Sequence, residues 1–175
     1  MATTHTDLKS LYETDYYTWT RKTAKLLNEG RLSEIDIDHL AEEVADLGEE
    51  KRNRLVGFLS QSFAHLIKYA YLADRYPDDT PRWRKDALFF LKEALRTIRK
   101  NPGLKGELPE ILEESWETAR GEVFRKFDDF SREQDLDRMG IPAHCPWSPD
   151  QVLSGSLLPP EPSGEPDLRL PGRKR

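Results

Sequence analysis

Apolar residues recur at helical spacing along most of the chain, and each recurrence predicts an amphipathic helix. From about Asp7 to Asn28, the residues Leu8, Leu11, Tyr12, Trp19, Thr23 and Leu26 share one face, and Gly30 follows as a stop. The same segment allows a start at Asp15 instead. Asp36 is placed to cap a second, longer pattern. Its first stripe, Ile37, Leu40, Ala41, Val44 and Leu47, is expected to face a core, and Leu55, Phe58, Leu59, Ser62, Leu66 and Tyr69 continue it in phase. Between the two, Gly48 to Arg54 holds no apolar residue. Glycine costs about 1 kcal/mol relative to alanine inside a helix, so a break or kink is expected near Gly48. The pattern ends before the turn signal Tyr76-Pro77-Asp78-Asp79.

A third pattern opens with Thr80 as cap and Pro81 at the first helical position, where a missing N–H costs nothing. Trp83, Ala87, Phe90, Leu91, Ala94, Leu95 and Ile98 cover its core face until Asn101-Pro102-Gly103 stops it. A fourth starts near Leu108-Pro109, with Leu112, Ser115, Trp116, Ala119, Val123, Phe127 and Phe130 as its stripe. Ser131 to Met139 is expected to add a short helix, and Ser148-Pro149 to cap and start another reaching Leu153. No stretch alternates as a strand does and no repeat is present. The expectation is an all-α fold, a compact bundle of four to five main helices forming one domain over residues 1–158. From Leu158 five prolines and the basic end Arg173-Lys174-Arg175 predict a disordered tail over 159–175.

Composition agrees with one core inside a heavily solvated surface: 37% of residues are apolar and 34% charged. No apolar run reaches the roughly 18 residues that span a bilayer, so no membrane role is expected. The first residues have neither the basic nor the apolar region of a signal peptide. Cys145 is the only cysteine, which excludes an internal disulfide and fits a cytoplasmic setting. The net charge of −5 is unevenly spread. Arg82 to Lys105 carries eight basic residues against Asp86 and Glu93, a local +6 that leaves −11 for the rest. Attraction of the whole chain to nucleic acid is therefore disfavoured, while a local one stays open.

Five motifs occur in a fixed order: Asp15-Tyr16-Tyr17-x-Trp19, Glu42-Glu43 ahead of Leu47-Gly48, His65-Leu66-Ile67-Lys68-Tyr69, Asn101-Pro102-Gly103-Leu104 and Cys145-Pro146-Trp147. With these the chain resembles the bacterial domain-of-unknown-function family twenty-nine, over roughly Leu11 to Leu158. The resemblance implies an all-helical bacterial cytoplasmic protein and brings no activity with it. Asp86 to Leu95 departs from it, with Leu88-Phe89-Phe90-Leu91 in place of a polar, arginine-rich helix.

Candidate chemistry is sparse. Asp15 sits in the first apolar stripe, either as a buried carboxylate or, the favoured reading, as a helix cap. His39 and Glu43 share a helical face with Glu42 and Asp46 nearby, a spacing that could begin a metal site. That face lies opposite the Ile37/Leu40/Val44 stripe, so a solvated acidic face is preferred and no metal or cofactor is expected. His65 and Lys68 could handle a proton or hold an anion, although a histidine at a helix seam is the favoured reading. Cys145 beside His144 is better read as apolar filler below an anchoring Trp147. Arg82, Lys85, Phe89, Lys92, Arg96 and Arg99 form a basic stripe around an aromatic ring. It either binds a partner or pairs with Glu110, Glu113, Glu114, Glu117 or the acids from Glu42 to Glu50, burying Phe89. Phosphate loops, nucleophile elbows and zinc-protease motifs are absent.

The residues do not define an activity. The leading expectation is a non-catalytic module that binds a protein or itself. The alternatives are an enzyme using Asp15, Glu43, His65 and Lys68 in an inter-helix groove, and a nucleic-acid-binding module using helix 82–100.

Overall fold

A computed structural model gives the architecture and describes residues 3–126, 139–155 and 157. The described residues contain helices and no strand, so the fold is all-α. They are α1 (Thr3–Thr14), α2 (Tyr16–Asn28), α3 (Ile37–Tyr71), α4 (Thr80–Lys100), α5 (Leu108–Lys126) and the short α6 (Pro149–Leu153), with 3-10 turns at Leu32–Glu34 and Pro102–Glu107. The chain divides into two compact units, Met1–Glu50 and Lys51–Arg175, and helix α3 runs across the boundary. The expected short helix over 131–138, Phe127 and Phe130, and the tail over 159–175 lie outside the described residues.

In the first unit, the segment read either as one helix from about Asp7 to Asn28 or as a helix starting after a cap at Asp15 holds two helices, so the cap reading holds and the residues before it are helical as well. Asp15 separates them and caps α2, its carboxylate accepting from the Thr18 N–H at 3.0 Å and the Thr18 hydroxyl at 2.6 Å. Helix α2 ends at Asn28, and Gly30 follows with a φ of 68° that a side chain would strain. Leu8, Trp19, Leu26 and Ile35 form a small core, with Leu11, Tyr12 and Leu40 packed against it. The expected inward stripe on α3 is corrected here. Ile37, Val44 and Leu47 are 55%, 60% and 58% exposed and Ala41 is exposed too. The face that turns inward carries His39, Leu40 and Glu43, because α1 and α2 offer polar aromatic partners for it.

The expected break at Gly48 is absent. Helix α3 continues through it for 35 residues. Glu49 to Arg54 are mostly strong helix formers, which offset the cost of one glycine.

The second unit holds the main core, built from the second half of α3, α4, α5 and the C-terminal segment. Phe63 stacks on Trp147 at 5.1 Å between ring centres and meets Trp116 edge-on at 5.8 Å. The Trp116 indole N–H donates to the Pro142 carbonyl at 3.0 Å, so the buried ring leaves no orphan donor. The Ser62 hydroxyl ties α3 to α4 at the Ala87 carbonyl, and Ser115 ties α5 back to Val56. Helix α4 starts one residue earlier than expected. Thr80 is helical, its hydroxyl donates to the Tyr76 carbonyl, and Asp79 occupies the cap position. Ser148 forms a capping box with Gln151 at α6, as the Ser-Pro pair predicted.

Candidate functional site

Helix α1 brings Tyr12 and the start of α2 brings Tyr16 to the Glu43 side of α3. The Tyr12 hydroxyl donates to Glu43 Oε1 at 2.9 Å, and the Tyr16 hydroxyl donates to Oε2. Bonding to an anionic acceptor favours the protonated phenol, and burial adds to it, so Tyr12 is pushed up to about 12 and Tyr16 is raised as well. Tyr12 also stacks on the His39 ring at 3.9 Å and meets Trp19 edge-on at 5.0 Å. His39 Nδ1 lies 2.6 Å from Oδ2 of Asp36, which is fully buried. His39 and Glu43 are thus engaged by Asp36 and the two tyrosines. Among the described residues no group of three or more His, Cys, Asp or Glu is placed to hold a metal ion. The expectation of a solvated acidic face holds for Glu42 and Asp46, which are exposed, and not for His39 and Glu43, which are half-buried.

Beside this cluster runs an apolar groove of about 230 Å³, with Trp19, Leu27, Leu40, Val44 and Leu47 on its walls and Tyr16 and Glu43 at its rim. Two of its wall residues, Trp19 and Thr23, are buried with a polar atom that has no hydrogen-bond partner. The sequence reading missed this groove because it assigned the Val44 and Leu47 side chains to a core.

The second unit gathers ionisable groups at the seam of α3, α4 and α5. Lys68 is buried, with its Nζ 3.8 Å from Glu122 Oε1. Gln61 and Lys126 also donate to Glu122, both at 2.7 Å. Burial lowers Lys68 from its ordinary value, against the attraction of Glu122. Burial alone would raise Glu122, but the Lys126 hydrogen bond and the Lys68 charge prevail and hold it below the usual carboxylate range. His65 stacks on Phe90 with its Nδ1 buried and without a hydrogen-bond partner. Burial, reinforced by the Lys68 charge, drops it to about 4, so the ring is neutral at pH 7. Sequence reasoning paired His65 with Lys68 and overlooked Glu122. The Glu122–Lys126 spacing of one helical turn was the available signal.

Of the four residues offered as an acid/base set, Asp15 and Glu43 belong to the first unit and His65 and Lys68 to the second. Asp15 is exposed, and its bonds from the Thr18 hydroxyl and N–H lower it below the usual carboxylate range. Each of Asp15, Glu43 and Lys68 is engaged by a neighbouring side chain. Cys145 is half-buried with its thiol directed to the Trp147 carbonyl, and burial raises it to about 11, which leaves little thiolate at neutral pH.

The basic stripe on α4 is on the surface. Phe89 is 58% exposed and meets Phe90 edge-on, Arg82 pairs with Asp86 at 3.5 Å, and Arg96 with Glu93 at 3.7 Å. The reading that acids of α5 would cover Phe89 is corrected. Glu114 binds Arg52 at 2.8 Å, and Glu113 accepts from the Cys145 N–H at 3.2 Å.

Fold and site together define an all-helical protein of two compact units, the first bearing an open apolar groove and the second an ion cluster around the buried Lys68. The family described as Domain of unknown function DUF29 matches residues 11–158, and the chain belongs to that family. No curated protein and no solved structure matches the chain. No helix among the described residues is long and apolar enough to cross a membrane.

Proposed function

We propose that this chain is a non-catalytic helical interaction module of a bacterial cytoplasm, binding a protein surface through the apolar face of α2 and α3. One observation carries the reading. Of the eight large apolar side chains exposed among the described residues, seven lie in the first unit: Tyr16, Tyr17, Leu27, Leu32, Ile37, Val44 and Leu47. Four of them, Tyr16, Leu27, Val44 and Leu47, line one groove, and exposed apolar surface gathered in this way marks interaction sites in soluble proteins. The engagement of Asp15, Glu43 and Lys68 by neighbouring side chains supports the non-catalytic half of the reading. A photo-crosslinking amino acid at Val44, expressed in the native host, is expected to give a discrete adduct that the same group at exposed Thr118 does not. Equal labelling from both positions, or none from Val44, rejects the reading.

The stripe of Arg82, Lys85, Phe89, Lys92, Arg96 and Arg99 supports a second docking surface, for an acidic protein partner, because Phe89 stands exposed among cations. Phe89→Asp combined with Arg96→Glu is expected to lose that partner with helicity intact. Pull-down profiles identical to wild type exclude it.

A further inference from the structure

We propose that the surface occupying the α2/α3 groove is the same surface of a second copy of this chain, placed face to face about a two-fold axis; this rests on the interaction reading above. The argument is the charge at the two edges of the apolar face. Helix α2 carries Arg21, Lys22 and Lys25 and no acidic residue. The part of α3 inside the first unit carries Asp38, Glu42, Glu43, Asp46, Glu49 and Glu50 and no lysine or arginine. At about 100° per residue, Ile37, Ala41, Val44, Ala45, Leu47 and Gly48 form one continuous exposed band on α3. The acids that bound its outer side are Asp38, Glu42 and Glu49, all exposed. On α2 the outer edge of the groove face carries Tyr17, Arg21 and Lys25, also exposed.

Lys25 pairs with Glu29 at 3.8 Å and Asp38 with Lys9 at 3.4 Å, so the charge left over is positive at Arg21 along one edge and negative at Glu42 and Glu49 along the other, with the apolar band between them. A two-fold axis that runs along the groove sets the α2 edge of each copy against the α3 edge of the other, apolar band on apolar band. Every charged edge then meets its opposite, which is the condition for an isologous interface. An unrelated partner would have to supply both signs in mirrored order, which a second copy does when the axis runs along the groove.

The geometry gives an exchange test on the full-length chain, read by light scattering after size exclusion at low and moderate salt. Wild type is expected at twice the chain mass. Arg21→Glu with Lys25→Glu places acid against acid at both edges, and Glu42→Lys with Glu49→Lys places base against base. Each double variant alone is expected to dissociate at least about tenfold more readily. Mixed in equal amounts, they restore both edges and return to twice the chain mass. Val44→Asp with Leu47→Asp is expected to be monomeric and beyond rescue by either variant. Because the mixture must recover what its components lose, misfolding of a variant cannot imitate success, and circular dichroism of each variant confirms its helices. Wild type that stays at single-chain mass, or variants that never re-associate on mixing, overturns the second copy. A monomeric wild type that still gives an adduct at Val44 with another protein overturns this partner and leaves the interaction reading standing. Absence of both dimer and adduct overturns the two together.

Discussion

The neutral, half-buried His65 makes the stability of the second unit fall on mild acidification, by an amount the structure sets. The ring is packed against Phe90 with its Nδ1 unpaired, and the charged groups around it are Lys68 on α3, Asp86 on α4 and Glu122 and Lys126 on α5. Its proton affinity is that of a pKa of about 4 when folded, against an ordinary 6.5. Between these values the unfolded chain binds the proton and the folded one does not. Stability is therefore complete above pH 6.5 and is lost as pH falls toward 4. The full difference is about 3 kcal/mol at 1.36 kcal/mol per tenfold change in proton affinity, of which about 2 kcal/mol has gone by pH 5. Glu122, held low, contributes stability that is lost only below its unfolded value of 4.5. His65→Phe keeps the stacked ring and removes the titration. Urea unfolding followed by tryptophan fluorescence in a Trp19→Phe background reports the second unit through Trp83, Trp116 and Trp147. Wild type should lose about 2 kcal/mol more than His65→Phe between pH 7.5 and pH 5. Parallel losses in the two proteins would show that the ring is solvated enough to protonate when folded, and would refute the reasoning.

Two other consequences follow from α3. Gly48 lies in a continuous helix with open space where a Cβ would stand. Gly48→Ala should raise stability by about 0.5–1 kcal/mol in urea unfolding followed by far-UV circular dichroism, which reads the helices of both units, and a loss would mean the helix does bend there. Glu43→Ala removes the acceptor of two phenols, so Tyr12 should titrate below about 12, moved toward its ordinary value of 10 while burial and Glu42 still hold it up. Alkaline titration of ring-labelled tyrosine by NMR reads this directly, and an unmoved Tyr12 would assign its shift to burial alone.

Much of the helical plan was legible from residue order. Capping depends on a side chain and the backbone three residues on, so Asp15, Ser148 and Gly30 declared their roles locally. The core of the second unit was legible too, because Trp83, Leu91, Ile98, Leu112 and Trp116 sit on single apolar stripes with no competing face. The first half of α3 was misjudged because it has two faces able to pack. Apolar periodicity favours Ile37 and Val44, whereas the tyrosines of α1 and α2 select His39 and Glu43.

Sequence alone determined most helix ends, such as those at Asp15, Gly30 and Ser148, since those signals act within one turn, but not the passage of α3 through Gly48. Only the tertiary structure decided which face of each helix is covered. That choice depends on what a distant segment offers, such as phenols for Glu43 or a carboxylate for Lys68, and spacing along one helix does not contain it.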